Sequence, residues 1–330
     1  MQERPPDVTD AELTAVLSRN WRLDLAAVHY LPAGFGGYHW KAVEASGRRW
    51  FVTLARIGAQ PELADLGATM ATAAGLAAAG LAFVVAPVPA ADGRLVVAAR
   101  SGYAITLYPF ADGVPGQWGD CLTAADKAAV ISMLAELHAA QPDSPSPPVR
   151  RPGLDRLETL DTAVRERARS WRSAGPYAEG ARALVCQHAD GLLAAADRFR
   201  ELAASVASSQ DQVITHGEPH SGNLIRCPAG LLLIDWDTVG LAPPERDLWW
   251  LVPGDGRADG AAARYAELTG RTISGPAVEM YRLRWDLDDV CLFLAEFRGP
   301  HDRNQDTETA FAGLAAGIRA LAGAQAGSQE

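Results

Sequence analysis

The spacing of apolar and polar positions divides the chain into a strand-rich first third and a helix-rich remainder. A helical period over residues 10–20 follows Thr9 and Asp10, and either residue suits a helix N-cap. A long helix is predicted over residues 61–79. Alternating runs predict strands at Val28–Leu31, His39–Val43, Trp50–Ala55, Phe83–Ala86 and Ala104–Tyr108. These elements predict a small lobe over residues 1–107.

Residues 108–114 are rich in proline and glycine and predict a hinge, after which helical periods dominate residues 115–330. Helices are predicted at 123–140, 154–172, 177–207, 243–252, 258–268, 275–298 and 306–322. One apolar strand, Leu231–Ile234, interrupts this series. The second part of the chain is therefore expected to be a larger, mainly helical lobe.

Composition narrows the class of protein. Apolar residues make up 48% of the 330 residues and charged residues 21%, which indicates a packed globular protein. The net charge of −10 argues against nucleic acid as a partner, because a phosphate backbone needs a basic surface. An acidic surface would instead attract small cationic molecules if its charge is focused near a cleft.

The cysteines and the uncharged segments indicate a cytoplasmic protein that is not in the membrane. The four cysteines are far apart and show no metal-type spacing, so reduced thiols are expected. The first residues show no signal-peptide pattern. The uncharged run at 68–91 contains Pro87 and Pro89 and predicts a helix followed by a strand rather than a membrane span.

One short segment carries the strongest chemical signal. Residues 216–223 read His-Gly-Glu-Pro-His-Ser-Gly-Asn, and the apolar run Leu231–Ile234 leads directly into Asp235. The acid Glu218, followed five residues later by Asn223, has the spacing of a kinase catalytic loop. The acid would accept a proton from a substrate hydroxyl, while the amide and the second carboxylate would hold magnesium against a triphosphate. The three elements together predict a phosphoryl-transfer site.

The same segment could instead be a zinc-binding motif. His216 and His220 flank the acid, as histidines do in zinc-binding helices. That motif needs both histidines on one helical face, and Gly217 and Pro219 make a continuous helix implausible. The segment therefore favours a loop.

The segment 214–250, above all the run Asp235-Trp-Asp-Thr-Val-Gly-Leu-Ala-Pro-Pro-Glu-Arg-Asp247, resembles the aminoglycoside phosphotransferase family. Its tail is most similar to the spectinomycin phosphotransferase branch. The resemblance covers nearly the whole chain and implies an α+β, protein-kinase-like fold of two lobes with an antiparallel sheet in the first. It also implies ATP or GTP and Mg²⁺ as cofactors.

The resemblance further implies a role for each residue of the motif. Glu218 is expected to be the catalytic base, and Asn223 and Asp235 are expected to bind the metal. His216 is expected to pack within the loop, and Asp247 to accept hydrogen bonds from the loop backbone. Asp247 is also compatible with a first-turn helix acid that the helix dipole favours.

Two positions depart from the family pattern. Glu218 stands where the family normally has aspartate, and catalytic geometry is sensitive to displacements of about 1 Å. Thr53 falls where the third strand normally carries a lysine that pairs with the phosphates. Lys41 on the neighbouring strand could supply that charge, or it could be a solvated strand lysine. Arg49 and Arg56 could supply it less readily.

The remaining candidate nucleotide contacts are assigned from their positions relative to the predicted strands and the hinge. Gly34, Gly36 and Gly37 lie between two predicted strands, where a nucleotide-covering hairpin belongs, although glycine clusters there usually only make turns. Tyr108 and Phe110 would supply apolar walls to the base at the hinge, or simply end a packed strand.

Acceptor contacts are expected on the helix over 275–298. Asp286, Asp289 and Glu296 fall on one face of that helix and could hold a cationic amino-sugar, while Trp249 could stack on its ring. The alternative is that the acids pair with arginines along the same helix.

These observations predict an ATP- and Mg-dependent O-phosphotransferase for an aminoglycoside or aminocyclitol, with a spectinomycin-like substrate favoured. A kinase for choline, a sugar or a homoserine-like alcohol is the alternative within the same chemistry. A pseudokinase that binds ligand without turnover is the alternative from another class. A monomer or a homodimer is expected.

Overall fold

The computed structural model describes residues 1–58, 60–99, 102–141, 147–207, 211–252 and 260–326. The helices are α1 (Asp10–Trp21), α2 (Gln60–Ala78), α3 (Ala124–Ala139), α4 (Leu157–Arg165), α5 (Ala178–Val206), α6 (Glu245–Leu248), α7 (Gly260–Thr269), α8 (Gly275–Arg298) and α9 (Gln305–Ala326). The strands are β1 (Leu25–Leu31), β2 (Gly37–Glu44), β3 (Arg49–Arg56), β4 (Val97–Ala99), β5 (Tyr103–Pro109), β6 (Val114–Pro115), β7 (Val213–Thr215), β8 (Leu224–Cys227), β9 (Gly230–Leu233) and β10 (Gly240–Ala242).

The first helix begins where the sequence predicts. The Thr9 hydroxyl accepts a hydrogen bond from the backbone nitrogen of Glu12 at 3.2 Å, and the Glu12 carboxylate accepts one from the backbone nitrogen of Thr9 at 2.9 Å. This reciprocal pair is a capping box, which satisfies two backbone donors at the start of α1.

One face of the first sheet forms a hydrophobic core. Its strands pair antiparallel in the order β1-β2-β3-β5-β4. Trp40, Val52 and Leu107 occupy directly paired positions, so their side chains share a face. All three are buried in one cluster with Leu13 and Leu17 of α1. The predicted antiparallel N-terminal lobe is confirmed.

The opposite face of this sheet carries polar and aromatic residues at the alternate positions. Strand pairing places these residues there: His39, Lys41, Phe51, Thr53, Thr106 and Tyr108. This face therefore presents the side chains that the sequence assigned to nucleotide binding.

Short strands surround the motif at residues 216–223. β8 and β9 form a hairpin extended by β6, while β7 pairs with β10. Leu233 of β9 donates its backbone N–H to Phe83 at 2.8 Å and accepts from Val85 at 3.2 Å. The hairpin that leads into Asp235 is thus bonded to the segment that follows α2.

The strand predicted at Phe83–Ala86 is wrong, because this segment makes only an isolated bridge between Val84 and Leu233. The edge position of the sheet is taken instead by β4, which the sequence pattern missed. With three residues, β4 is too short for apolar alternation to show.

Most predicted helices are confirmed within a few residues, and α8 has the predicted bounds. The helices expected over 154–172 and 243–252 are shorter, as α4 and α6. In the first case a Glu179 carboxylate oxygen accepts from the backbone nitrogen of Trp171 at 2.6 Å and holds a turn. The first two residues of the helix predicted over 258–268 lie outside the described residues.

The described chain forms two compact units. The first contains Met1–Arg150, Asp211–Val252 and Ala258–Thr272, so it holds both the first sheet and the motif. In the second, α4, α5, α8 and α9 pack together. A hinge at residues 108–114 stays a prediction.

The first part of the uncharged run, residues 68–78, lies in α2. Met70, Ala73 and Leu76 of this helix are at most 1% exposed, as expected of a helix packed in a protein core. No helix within the described ranges has the length and hydropathy needed to cross a membrane.

Candidate functional site

The motif forms a loop between two short strands. β7 ends at Thr215, and a single 3-10 turn over Ser221–Asn223 leads into β8. Residues 216–220 are not helical, so His216 and His220 do not share the helical face that the zinc motif requires.

Asp247 of α6 holds the first residues of this loop. One carboxylate oxygen accepts from the backbone nitrogen of His216 at 2.8 Å, and the other accepts from that of Gly217 at 2.5 Å. Burial disfavours the charged carboxylate, but the hydrogen bond with His138 and the charge of Arg246 outweigh it and lower the pKa of Asp247. Asp247 is therefore a buried anion that fixes the loop backbone.

Gly217 is required by the path of the loop. Its φ is 102°, in the region that side chains rarely adopt, and a Cβ atom would collide with the guanidinium of Arg246. That guanidinium donates to the Thr215 hydroxyl at 2.8 Å and to the Thr238 carbonyl at 3.0 Å. The loop thus packs directly on a buried arginine.

His216 is neutral and in a defined tautomer. Its Nε2 lies 2.9 Å from the carbonyl of Ile234, which can only accept, and its Nδ1 accepts from the backbone nitrogen of Glu218 at 3.2 Å. Nε2 therefore carries the proton. Burial lowers the pKa of His216 to about 4, which agrees with the neutral form. The His216 ring therefore packs within the loop.

Asn223 joins the acid to the end of β9. Its side-chain nitrogen donates to the backbone oxygen of Glu218 at 2.9 Å and lies 3.3 Å from Nε2 of His220. Its backbone oxygen accepts from Ile234, the residue before Asp235, at 3.0 Å. Glu218, Asn223 and Asp235 therefore lie together, as the sequence predicts.

Asp235 has an unusual backbone and a perturbed carboxyl group. Its φ is 66°, a left-handed conformation that is rare outside glycine and tolerated by aspartate. Its side chain keeps solvent contact, but loss of hydration to the surrounding protein and the negative charge of Glu218 raise the pKa of Asp235 to about 7. Loss of hydration and the charge of Asp235 raise the pKa of Asp237 to about 8. This repulsion would be relieved by a cation.

Tyr108 links this group of carboxylates to the first sheet. Burial, followed by the charges of Asp235 and Asp237, raises the pKa of Tyr108 well above its usual value. Its hydroxyl donates to the sulfur of Met70 at 3.0 Å. The polar face of the sheet and the end of β9 therefore lie within electrostatic reach of each other.

The position of the expected lysine holds a neutral pair. Nδ1 of His39 lies 3.3 Å from the Thr53 hydroxyl, and the His39 ring stacks on Phe51 with 5.0 Å between centroids. Loss of hydration lowers the pKa of His39 to about 4, so the ring is uncharged near neutral pH. His39, which is paired with Thr53 in the sheet, therefore supplies no positive charge near neutral pH.

The other candidate cations have protein partners. The ammonium of Lys41 lies 5.2 Å from the centroid of the Phe110 ring. Arg49 pairs with Asp112 at 2.5 Å, and Arg56 donates to the Tyr103 hydroxyl at 2.7 Å. Lys41 and Arg49 both lie on the polar face of the sheet and both approach the Phe110 ring, whereas Arg56 lies on the opposite face. The contact of Lys41 with phosphate stays a prediction.

The glycines between β1 and β2 form a tight turn. Gly34 and Gly36 have φ values of 69° and 84°, which favour glycine. A Cβ atom at Gly34 or Gly37 would lie 3.2 Å from the ring of His39. The turn therefore lies over the edge of the polar face, where a nucleotide-covering hairpin was expected.

The acidic stripe of α8 is partly buried. Loss of hydration raises the pKa of Asp286 and that of Asp289 to about 6, and it also raises the pKa of Glu296. Asp288, on the same helix, lies 3.2 Å from Nε of Arg156. Trp249 belongs to the other compact unit and is buried against Trp250, with 3.8 Å between ring centroids.

Two buried residues that support Asp247, His138 and Tyr265, were not predicted from the sequence. Nε2 of His138 lies 3.0 Å from an Asp247 oxygen, and its Nδ1 lies 2.7 Å from the Tyr265 hydroxyl. His138 continues the buried positions Val130 and Leu134 of α3. A histidine at the end of an apolar stripe was the available signal, but its partners lie more than a hundred residues away in the chain.

Within the described ranges, no group of three or more His, Cys, Asp or Glu side chains has the arrangement of a metal site. The cysteines are free thiols, in agreement with their scattered positions in the sequence: Cys121, Cys186, Cys227 and Cys291. A magnesium ion suits the motif nevertheless, because it usually takes only one or two protein carboxylates and keeps several waters.

Two sequence comparisons match this chain to known proteins. The sequence profile of the phosphotransferase enzyme family matches residues 28–282. Protein StrN of Streptomyces griseus is 30% identical over 246 residues, which cover 71% of this chain and 70% of StrN.

The fold is similar to those of solved kinases. Spectinomycin phosphotransferase in complex with ADP and spectinomycin superposes with a TM-score of 0.73 at 18% identity, over 96% of this chain and 98% of that protein. A microcompartment-associated aminopropanol kinase superposes with a TM-score of 0.62 at 19% identity, over 97% and 98% of the two chains. These likenesses confirm the predicted kinase-like fold.

Proposed function

Because the chain belongs to the phosphotransferase enzyme family, we propose that it transfers the terminal phosphate of ATP or GTP to a hydroxyl group of a small cationic acceptor. A spectinomycin-like aminocyclitol is the leading acceptor. The observation that carries the proposal is the grouping of Glu218, Asn223 and Asp235 at the end of β9, on a loop whose backbone is fixed by Asp247.

Glu218 is the proposed base. The acceptor oxygen attacks the terminal phosphorus, the bond from that phosphorus to the departing nucleoside diphosphate breaks, and the hydroxyl proton passes to the Glu218 carboxylate. Its backbone oxygen and nitrogen are both held, by Asn223 and His216 respectively. The longer side chain of glutamate thus projects from a fixed point, as a base that must meet one hydroxyl requires.

Asn223 and Asp235 are the proposed magnesium ligands, with Asp237 as a further carboxylate nearby. Asn223 uses its amide nitrogen for Glu218 and His220, so its amide oxygen is the atom left to face a cation. A magnesium ion bound by these residues would neutralise part of the negative charge of the triphosphate. Loss of hydration raises the pKa values of Asp235 and Asp237, and the charge of Glu218 adds to the first shift and that of Asp235 to the second. A divalent cation would relieve this accumulation of negative charge.

The nucleotide is proposed to bind along the polar face of the first sheet. Gly34, Gly36 and Gly37 would cover the phosphates, and Lys41 would supply a positive charge on that face. Thr53 would contribute a hydroxyl. The base would pack beside Tyr108 and Phe110. Spectinomycin phosphotransferase, whose fold is similar, was solved with ADP, and this supports use of a nucleotide here.

For the acceptor, Asp286, Asp289 and Glu296 remain the proposed anionic contacts on α8. The raised pKa values of these acids indicate a partly dehydrated acidic face, which favours a bound cation over bulk water. Trp249 is buried against Trp250, which does not favour the predicted stacking of its ring on the acceptor.

A product screen tests the proposal. Purified protein is incubated with ATP or GTP and Mg²⁺, and with spectinomycin, aminoglycosides, choline, aminopropanol, a sugar and homoserine in turn. Mass spectrometry then detects addition of one phosphoryl group. Product from spectinomycin supports the leading acceptor, and product only from another alcohol supports a metabolic kinase. Nucleotide binding without any product supports a pseudokinase and contradicts the proposal.

The site residues are tested by substitution. Asn223→Ala and Asp235→Ala are each expected to abolish magnesium-dependent product formation while circular dichroism shows an unchanged fold. Asp197→Ala, at an exposed position on α5, is the matched control and is expected to keep full activity. Full activity in either site variant would remove that residue from the metal site.

A further inference from the structure

An exposed tryptophan lies beside the catalytic loop and has no part in the roles assigned so far. Trp118 is 59% exposed, which is unusual for a residue of this size and hydrophobicity. It follows β6, the strand that extends the β8–β9 hairpin. Trp118 differs from an isolated exposed apolar residue because it contacts two other aromatic rings beside the catalytic loop.

The segment that carries Trp118 is packed tightly onto the catalytic loop. The Ser221 hydroxyl donates to the backbone oxygen of Gln117 at 2.7 Å, and the backbone nitrogen of Gly116 donates to Leu224 at 2.9 Å. A Cβ atom at Gly116 would collide with the backbone of Ser221. Trp118 is therefore exposed on a segment that the loop holds in place, not on a free tip.

Other aromatic rings fix the orientation of the indole. Trp118 is edge-to-face with His220 and with Trp250, at 4.6 and 5.4 Å between centroids and 87° between planes in both cases. His220 and Trp250 also contact each other at 5.2 Å. The three rings form a cluster, here called the aromatic corner (Trp118, His220 and Trp250), all within the first compact unit.

The aromatic corner touches the reaction site through one residue. Nε2 of His220 lies 3.3 Å from the side-chain nitrogen of Asn223, which in turn donates to the backbone of Glu218. An acceptor whose hydroxyl meets Glu218 would therefore have its remaining atoms close to this corner.

We propose that Trp118, supported by Trp250, binds an alkylammonium group of the acceptor through its indole face. This inference rests on the proposed phosphotransferase function and names a contact that selects cationic acceptors. The attraction arises because a cation is drawn to the negative face of an aromatic ring, and indole gives the strongest such interaction among side chains. The acid Glu218, which is connected to the corner through Asn223, adds to the preference for a positive ligand.

Calorimetric titration tests this contact without requiring turnover. Wild-type protein is titrated with spectinomycin, with choline, and with the neutral isostere of choline in which carbon replaces the ammonium nitrogen. At least one cationic probe is expected to saturate, and the neutral isostere to bind at least about tenfold more weakly than choline. Trp118→Ala is expected to raise the dissociation constant of the cationic probe about tenfold, which corresponds to about 1.4 kcal/mol.

Two variants separate an aromatic contact from a general effect on structure. Trp118→Phe keeps a ring face and is expected to restore most of the affinity. Leu193→Ala removes a partly exposed apolar side chain from α5 and is expected to change nothing. The dissociation constant for ATP with Mg²⁺ is expected to be the same in wild type and Trp118→Ala, because the corner is assigned to the acceptor.

Three results would overturn the inference: no saturable binding of either cationic probe, equal affinity for choline and its neutral isostere, or a change of less than twofold in Trp118→Ala. Failure of the wild-type protein to bind ATP would instead contradict the proposed function. The two failures are therefore distinguishable by which ligand is lost.

Discussion

At the scale of single residues, the site depends on how Glu218 is attached. Its backbone is bonded on one side to His216 and on the other to Asn223, so its Cα position is set before the side chain begins. Glutamate is one methylene longer than aspartate, so its carboxylate reaches further from this fixed backbone than an aspartate carboxylate would.

Two substitutions at position 218 are therefore expected to lower kcat to different extents. Glu218→Gln is expected to lower kcat by about a hundredfold to ten-thousandfold, because the proton acceptor is lost while the shape is kept. Glu218→Asp is expected to lower kcat by about a hundredfold or less, since a retained carboxylate is withdrawn by about one bond length. Steady-state kinetics and ATP binding are the measurements, with ATP affinity unchanged in both variants.

Glu201→Gln, an exposed change on α5, serves as the control and is expected to behave as wild type. If Glu218→Asp is faster than wild type, the longer side chain of glutamate is a handicap at this position. Full activity in Glu218→Gln would exclude Glu218 as the base.

At the scale of elements, one short helix and two distant ones hold the loop in place. Asp247 of α6 accepts from two loop nitrogens and from His138 of α3, and His138 is bonded to Tyr265 of α7. All three of these side chains are at most 4% exposed. The loop geometry is therefore set by packing among α3, α6 and α7 and not by the loop sequence alone.

Asp247→Asn is expected to destabilise the protein by about 3 kcal/mol and to lower kcat strongly. An amide can accept at one atom only, so its NH₂ group would face a buried backbone N–H. Tyr265→Phe removes one hydrogen bond and is expected to lose about 1 kcal/mol with a smaller fall in kcat. Urea unfolding and steady-state kinetics measure both quantities.

The diagnostic result is the comparison between stability and activity in these two variants. If the network only stabilises the fold, Tyr265→Phe will unfold earlier while kcat stays at the wild-type value. If it positions the loop, kcat falls at temperatures where the variant remains fully folded. Equal stability of Asp247→Asn and wild type would contradict the anchoring role.

At the scale of the whole molecule, accumulated negative charge couples stability to pH. The net charge is −10, and carboxyl groups with raised pKa values occur in both compact units: Asp235, Asp237, Asp286 and Asp289. A carboxyl whose pKa is higher in the folded state binds more protons when folded, so stability decreases as the pH rises from the unfolded value towards the folded one.

Without ligands, the thermal midpoint is therefore expected to fall between about pH 4 and pH 8, as Asp235 and Asp237 ionise. Asp237→Asn is expected to raise the midpoint at pH 8 by a few degrees, which corresponds to about 1 kcal/mol after allowance for solvent screening. Near pH 4 the same variant is expected to match wild type, because the Asp237 carboxyl is then largely protonated in the folded state and close to its unfolded pKa.

The response of the thermal midpoint to Mg²⁺ is a second measure of the repulsion among these carboxylates. Adding Mg²⁺ at pH 8 is expected to raise the wild-type midpoint, because a ligand that binds only the folded state stabilises it. The increase is expected to be smaller in Asp235→Asn. A wild-type midpoint that rises with pH between 5 and 8 and does not respond to Mg²⁺ would contradict both expectations.

The sequence by itself determined the long elements and the chemistry of the motif. α5, α8 and the central strands were predictable because a helix or strand of that length repeats its apolar period several times. Glu218, Asn223 and Asp235 were recognisable because their identity and spacing along the chain are local properties. The same locality placed Gly217 in a loop and made the helical zinc arrangement implausible.

Only the tertiary structure decided what surrounds those residues. β4, β7, β8 and β10 have three or four residues each and exist because a partner strand pairs with them. The bonds of Asp247 to His138 and of His138 to Tyr265 span 109 and 127 residues of sequence, as the packing of three helices requires. Exposure of Trp118 and burial of Trp249 likewise follow from which surfaces are covered in the fold. A side chain's hydration and partners depend on distant segments, and no spacing along the chain records them.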